Sequence, residues 1–326
     1  MIPSFDSILQ HNGISPQEAQ QLGTLPAGDI VKLFETTNEL RQHFKGNSVN
    51  LCSIVNAKSG LCPEDCKFCA QSAHYRTEAK SYPLLRTTTI AEKAVNAAGA
   101  GARGFSIVTS GYGIDNKTEL DGIADAIKAI CEKTPLYRCA SLGILSEQEL
   151  NYLKAAGLTK YHHNLETSRS FFPSVCTTHP YDDDIAAVKA AKAAGLSICS
   201  GGVFGIGESW EDRIELAFTL KGLDVDSIPV NFLNPVKGTP LEGTTTLTPI
   251  ECLKIIAMFR LILPDKDIVI CGGREVNLRD MQSMIFYAGA NGMMTGGYLT
   301  TAGRPPEDDL RMIRDLGLEV SKPVAV

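Results

Sequence analysis

A chain of 326 residues with 44% hydrophobic side chains has the apolar content for one large domain, of the size that α/β barrels reach as single units. Its formal net charge of −6, from 31 basic and 37 acidic residues, excludes the global basic field of a nucleic-acid binder. The opening segment MIPSFDSILQHNG lacks a basic start, and the apolar run 255–263 is broken by Arg260, so no signal peptide or membrane span is expected and a cytoplasmic location is.

Residues 1–45 read as helical, with Ser15-Pro16-Gln17-Glu18 as a helix start. Strand candidates follow at 50–55, 104–109, 136–142, 159–165, 196–203, 226–232, 267–271 and 292–295. Amphipathic helical stretches lie between them at 119–132, 146–156, 182–194, 210–221 and 249–263. Ala155-Ala156-Gly157 and Ala193-Ala194-Gly195 supply the glycine stop that precedes a new strand. Eight strands alternating with helices predict an α/β fold, a parallel (β/α)8 barrel of the TIM type, over 46–300 of a single domain 1–326. The N-terminal helices precede it, and a C-terminal helix and tail occupy 301–326. A doubly wound open sheet is the alternative architecture.

The segment Cys62-Pro63-Glu64-Asp65-Cys66-Lys67-Phe68-Cys69 follows the first strand directly. Gaps of three and two residues let one loop wrap three thiolates around an inorganic centre, and thiolates suit iron–sulfur clusters and zinc. A closed site takes four ligands, so a three-ligand set leaves one metal corner open. Ten cysteines in a chain with no secretory feature point to metal or redox chemistry rather than to disulfides. Cys139, Cys199 and Cys271 fall on the third, fifth and seventh strands. Alternate strands share one interior layer of such a barrel, so these three are expected to converge on a second site rather than to serve as small hydrophobes. Cys52, Cys131, Cys176 and Cys252 read as core or incidental.

Cys62, Cys66 and Cys69 in this spacing, with the aromatic Phe68 before the last cysteine, resemble the radical S-adenosylmethionine superfamily. From about residue 30 onward the chain resembles the biotin synthase family. The stretches that carry the likeness are 61–73, YRCASLGIL (137–145), YHHNLETS (161–168), ICSGGVFGIGE (198–208), VNFLNPVKGTPLE (230–242), GGREVN (272–277) and GANGMMTGGYLTT (289–301).

The resemblance implies that Cys62, Cys66 and Cys69 hold a 4Fe–4S cluster whose fourth iron is chelated by S-adenosylmethionine. Reductive cleavage then gives methionine and a 5′-deoxyadenosyl radical, which abstracts hydrogen from dethiobiotin in two rounds. Sulfur from an auxiliary iron–sulfur cluster bridges the two carbons, inside a barrel that keeps the carbon radical from water and oxygen. Asn164 and Asn231 match asparagines that bind the ureido ring, for which an amide that donates and accepts is suited. Glu166 matches the acid at the cofactor's ribose, and the turn carrying Gly205 and Ile206 matches an adenine contact. Arg274 matches an arginine that contacts or ligates the auxiliary cluster. A flavodoxin- or ferredoxin-type electron donor and a homodimer are also implied, with no nucleic-acid or membrane partner.

Departures from the family pattern are informative. A 2Fe–2S auxiliary cluster held by three cysteines and the arginine would need a cysteine where Ser106 stands, whereas Cys271 is additional. The expectation is therefore a four-iron auxiliary cluster with an extra sulfide, ligated by Cys139, Cys199 and Cys271, with 2Fe–2S as the alternative. His162 replaces an asparagine near the substrate. Asp184 stands where an arginine is expected to meet the methionine carboxylate. Cys271 and Arg274 would face opposite sides of a regular strand, so Gly272-Gly273 must break the alternation. Competing readings are a radical maturase or mutase of the same barrel group, and a non-enzymatic electron carrier.

Overall fold

The computed structural model describes residues 2–321. Three helices open the chain: α1 (Phe5–His11), α2 (Pro16–Gly23) and α3 (Ile30–Lys45). Ser15 caps α2 as expected, its hydroxyl accepting from Glu18 N while the Glu18 carboxylate accepts from Ser15 N.

The barrel then runs β1 (Ser48–Lys58), α4 (Thr87–Gly99), β2 (Gly104–Thr109), α5 (Lys117–Lys133), β3 (Tyr137–Ser141), α6 (Glu147–Ala155) and β4 (Lys160–His162). It continues through α7 (Tyr181–Ala193), β5 (Ser197–Cys199), β6 (Gly202–Phe204), α8 (Trp210–Gly222), β7 (Ser227–Phe232), α9 (Pro249–Ile262) and β8 (Asp267–Ile270). The short α10 (Arg274–Leu278), β9 (Gly292–Met294), α11 (Pro306–Asp315) and β10 (Glu319–Val320) complete the chain. All strand pairings are parallel, and β9 returns to β1 through Asn50–Gly292 and Cys52–Met294, which closes an eight-stranded ring. The (β/α)8 expectation holds, and the open sheet does not.

Three differences from the sequence reading have local causes. The strand expected at 196–203 is two pieces, β5 and β6, because at Gly201 the backbone passes so close to β7 that a Cβ would sit 2.0 Å from Pro229 O. The helix α4 was not anticipated; its buried face is Ile90, Ala91, Ala94 and Ala97, too small a stripe to stand out. The segment after 300 holds, besides its helix, a short strand: β10 pairs with the start of β1 through Ser48–Glu319 and Val49–Val320, outside the closed ring. Of the expected C-terminal tail, residues 322–326 lie outside the described residues.

Helix α9 explains why the N-terminal helices stay in place. Every residue from Cys252 to Ile262 is buried, because α9 is covered by the barrel on one side and by α2 and α3 on the other. Each large apolar side chain so enclosed contributes ~1.5–3 kcal/mol of transfer free energy. Arg260 survives there because its guanidinium donates to Gly289 O, Pro264 O, Lys266 O and Asn291 Oδ1 at 2.7–3.0 Å. No helix among the described residues is long and apolar enough to cross a membrane.

Candidate functional site

The cysteine loop leaves the C-terminal end of β1, where barrels of this type carry their chemistry. Gly60 (φ +78°) and Leu61 (φ +54°) turn the chain sharply before Cys62. Cys62 N donates to Gln71 O at 3.0 Å and Ala73 N to Cys62 O at 2.8 Å, so the loop closes on itself as a small bridge. Cys69 N donates to Cys66 O at 2.9 Å, placing those two on one turn. Asp65 fastens the loop to the segment after β4. Its carboxylate accepts from Thr177 N at 2.7 Å and from the Thr177 hydroxyl, and although burial opposes this, the bonds hold the acid below its usual range.

All ten cysteines are free thiols, so the disulfide alternative does not describe this chain. Burial raises the Cys62 thiol and pushes Cys69 up to about 11; both are poor thiolates until a cation binds. Among the described residues, ligand atoms of Glu64, Cys176 and His179 lie within 4.8 Å of one another, and no such single-ion grouping includes the three loop thiols. The loop thiols are spread more widely than one ion needs. That spacing suits a multi-iron cluster better than mononuclear zinc.

The mouth of the barrel is built by β4, β6 and their loops. Glu166 has φ +63°, a left-handed conformation rare outside glycine. The register forces it: Glu166 N donates to Gly201 O, and Val203 N donates back to Glu166 O at 2.9 Å. Burial pushes the Glu166 carboxyl up to about 7. Gly205 and Ile206 do not offer free N–H groups. Both donate to the Glu208 carboxylate at 2.8–3.1 Å, and Glu208 is itself paired with Arg213 at 2.7 Å. What this turn presents is a fixed backbone beside an apolar cluster of Val175, Val203, Ile206 and Leu233, against which Phe68 packs.

Below the mouth lies a cavity of about 520 Å³ that runs into the barrel lumen. It brings together Phe68, Glu166, Asn164, Asn231, His162, Cys139, Cys199 and Cys271. Each asparagine also clips strands: Asn164 Oδ1 accepts from Gly201 N (3.2 Å), and Asn231 Oδ1 accepts from Gly272 N (3.0 Å) while its Nδ2 donates to Gly202 O (3.2 Å). His162 Nδ1 lies 3.4 Å from Cys199 Sγ, and burial lowers the imidazole to about 4, so the ring is neutral. Ser106 is in register with Cys139 and bonds to its thiol.

Several expectations need correction. Arg274 stands next to the part of the lumen lining formed by Gly272 and Gly273. Strand β8 ends at Ile270, Gly273 turns the chain with φ +73°, and the Arg274 guanidinium gives both Nη groups to Asp309 on α11 while its buried Nε has no partner, near enough to Cys271 and Tyr298 to act on both. Cys52 is not incidental: strand alternation puts it in the lumen, 2.7 Å from Tyr137 Oη. Cys176 is not mere core either. Bonds with Cys66 and His179 lower it to about 5, against the pull of burial. Cys131 is exposed and Cys252 is buried in α9, as a bland reading requires. Asp184 is tied up by His163 Nε2 (2.8 Å) and His179 Nε2 (3.4 Å), so it is a scaffold group. Sequence reasoning also missed Lys160, which alternation from His162 would have placed in the lumen.

A closed parallel barrel with an open three-thiol loop above its first strand defines a radical S-adenosylmethionine enzyme. In agreement, residues 58–220 match the Radical SAM superfamily and residues 229–319 match the Biotin and Thiamin Synthesis associated domain. The chain is 54% identical to the biotin synthase of Geobacter sulfurreducens over 313 residues, covering 96% of this chain and 95% of that one. It is also 54% identical to the biotin synthase of Trichlorobacter lovleyi over 316 residues, covering 97% and 95%. The chain belongs to the biotin synthase family. Solved structures of similar fold include methylornithine synthase (TM-score 0.85, 20% identity, 98% of this chain and 97% of that one). The FeFe-hydrogenase maturase HydG follows with a TM-score of 0.82 at 16% identity, over 96% and 73%. At such identities these two show the barrel alone.

Proposed function

We propose that this enzyme inserts sulfur into dethiobiotin to form biotin, with the reaction enclosed in the lumen and S-adenosylmethionine at its mouth. The observation that carries the reading is the single cavity that joins the mouth, the two asparagines and the interior thiols. Its volume of about 520 Å³ falls within the range of small-ligand sites. Cys62, Cys66 and Cys69 hold the 4Fe–4S cluster, and Cys139, Cys199 and Cys271 hold the auxiliary cluster. When bound, the clusters supply the electron for cleaving S-adenosylmethionine and the sulfur that enters the product.

The chain's own residues do the rest by position. The Glu166 carboxylate accepts the ribose hydroxyls, and its strained backbone fixes where it points. The adenine lies against Ile206 and the apolar cluster around it, on a turn made rigid by Glu208. Asn164 and Asn231 line the cavity, and beyond the bonds each amide already makes, Asn164 Nδ2 to Glu166 Oε2 (3.2 Å) among them, each keeps a second N–H and a second carbonyl lone pair for the neutral ureido ring. Fixed by backbone bonds, they arrive pre-ordered, which lowers the entropy lost on binding. The thiol set favours a four-iron auxiliary cluster over 2Fe–2S, because the lumen presents Cys271 where the 2Fe–2S pattern has no cysteine, and Ser106 where it needs one. A small flavodoxin- or ferredoxin-type protein as reductant, and a homodimer, complete the proposal.

The test is turnover of anaerobically reconstituted protein with dethiobiotin, S-adenosylmethionine and a low-potential reductant. Biotin together with 5′-deoxyadenosine is expected. Cleavage without biotin under conditions that support a known biotin synthase would overturn the substrate, and no cleavage at all would favour the electron-carrier reading.

A further inference from the structure

The lumen holds one cation whose partner is not a carboxylate. Lys160 sits on β4 two residues before His162, so both face inward. Its Nζ donates to Ser227 Oγ at 3.1 Å and lies 5.1 Å over the ring of Tyr137. Among the described residues it forms no ion pair. The carboxylate that acts on it from a distance, Asp267, is occupied by Lys45 at 2.8 Å and by Asn291 Nδ2 at 2.9 Å.

The neighbours of Lys160 are thiols. It is in direct register with Cys139 on β3, and His162, the next inward residue of its own strand, is in register with Cys199 on β5. Cys52 shares this floor through its contact with Tyr137. An ammonium inside a barrel costs several kcal/mol unless an anion meets it. Arg274, a buried cation beside the cavity, differs in having a carboxylate partner, Asp309, with 3.0 and 3.1 Å bonds.

We propose that Lys160 is the charge-compensating residue of the auxiliary cluster: its ammonium, held by Ser227 and Tyr137, faces the anionic sulfurs bound between Cys139 and Cys199. This rests on the two-cluster reading above. It makes Lys160 a positioning and tuning residue, not a ligand. A fixed positive charge beside a cluster favours the reduced, more negative state, so it sets the potential at which the cluster accepts an electron.

The test compares wild type, Lys160→Met and Lys160→Arg as full-length, anaerobically reconstituted proteins. The readouts are iron and sulfide content, Mössbauer spectra and the auxiliary midpoint potential from an EPR-monitored titration. Wild type should carry about eight irons per chain, four of them auxiliary. Lys160→Met should shift the auxiliary midpoint to more negative potential or lose the auxiliary irons while keeping the first four. Lys160→Arg should restore both content and midpoint. Ser227→Ala, which releases the ammonium without removing it, should shift the midpoint in the same direction by less, and serves if Lys160→Met does not fold. A Lys160→Met protein with wild-type content and midpoint overturns the inference, as does loss of the auxiliary cluster in both Lys160 variants, which would make the role one of shape. Wild type with only about four irons would instead overturn the two-cluster reading beneath it.

Discussion

Asp309 grips Arg274 with both carboxylate oxygens: Nη1 donates to Oδ1 at 3.0 Å and Nη2 to Oδ2 at 3.1 Å, with both side chains sealed from solvent. Thr295 Oγ1 adds a third bond to the same carboxylate at 2.9 Å. The pair joins α11 to the loop after β8, so the last helix is part of the barrel's closure. Removing one partner of a buried pair leaves the other charge stranded. Asp309→Ala should therefore lower unfolding free energy by about 3–5 kcal/mol in urea denaturation. The double variant Arg274→Met with Asp309→Leu should recover most of that loss, and a single variant of wild-type stability would contradict the role.

The first cluster offers a direct check. Each of Cys62, Cys66 and Cys69 is a free thiol on one self-bridged loop. Replacing any of them by Ala should abolish formation of 5′-deoxyadenosine, measured by chromatography with dithionite as reductant. Near-normal formation in all three variants would remove the loop from the cofactor site.

With Glu166 in its proposed place at the ribose, the affinity for S-adenosylmethionine should depend on pH. Burial holds its carboxyl up at about 7, so the group takes a proton as pH falls through 7 and ceases to accept the ribose hydroxyls. Affinity should weaken below pH 7, approaching tenfold per unit, while Glu166→Gln should bind weakly and evenly across that range. The sign for stability is consistent. The folded value lies above the ordinary 4.5, so the stability gained by keeping the acid neutral is complete below that value and is lost as pH rises through about 7. Equilibrium dialysis from pH 6 to 8 reads the binding, and a flat wild-type curve would exclude Glu166 as the ribose acceptor.

Asn231 should matter for substrate in a way that its neighbours do not. Asn231→Leu leaves a buried ureido group short of a partner, which costs roughly 1–3 kcal/mol of dethiobiotin affinity. It also unclips Gly202 O and Gly272 N. Thermal unfolding measured beside calorimetric binding separates the two effects. Unchanged dethiobiotin affinity would remove Asn231 from the ureido contact.

Much of this site is local in sequence, and that part was legible. Three thiols within eight residues, the alternation of strands with helices, and cysteines on alternate strands all follow from spacing and period. What was not legible depends on register or on distant contacts. Nothing in the sequence gives Glu166 a left-handed backbone, because the bonds to Gly201 and Val203 impose it. Asp309 meets Arg274 across 35 residues, and no periodicity encodes that meeting. Cys52 and Lys160 were within reach: each is two residues from a position already read as inward or on a known strand, so alternation alone places them in the lumen.

Cys271 is the residue on which the proposed four-iron auxiliary cluster turns. It lies 4% exposed at the end of β8 and lines the same lumen as Cys139 and Cys199. Burial raises its thiol well above the ordinary value, and the charges of Cys199 and Cys52 raise it further. Such a thiol is stable as a neutral group until a cation binds, and then it supplies a thiolate in a site shielded from water. With Ser106 beside Cys139, a 2Fe–2S centre would lack one of the cysteines it needs. Three thiolates around a four-iron core leave one iron open for an extra sulfide. Iron analysis should give about eight irons per chain, and Cys271→Ser should lose biotin formation together with the auxiliary Mössbauer signal. About six irons, or a fully active Cys271→Ser protein, would return the site to a modified 2Fe–2S centre.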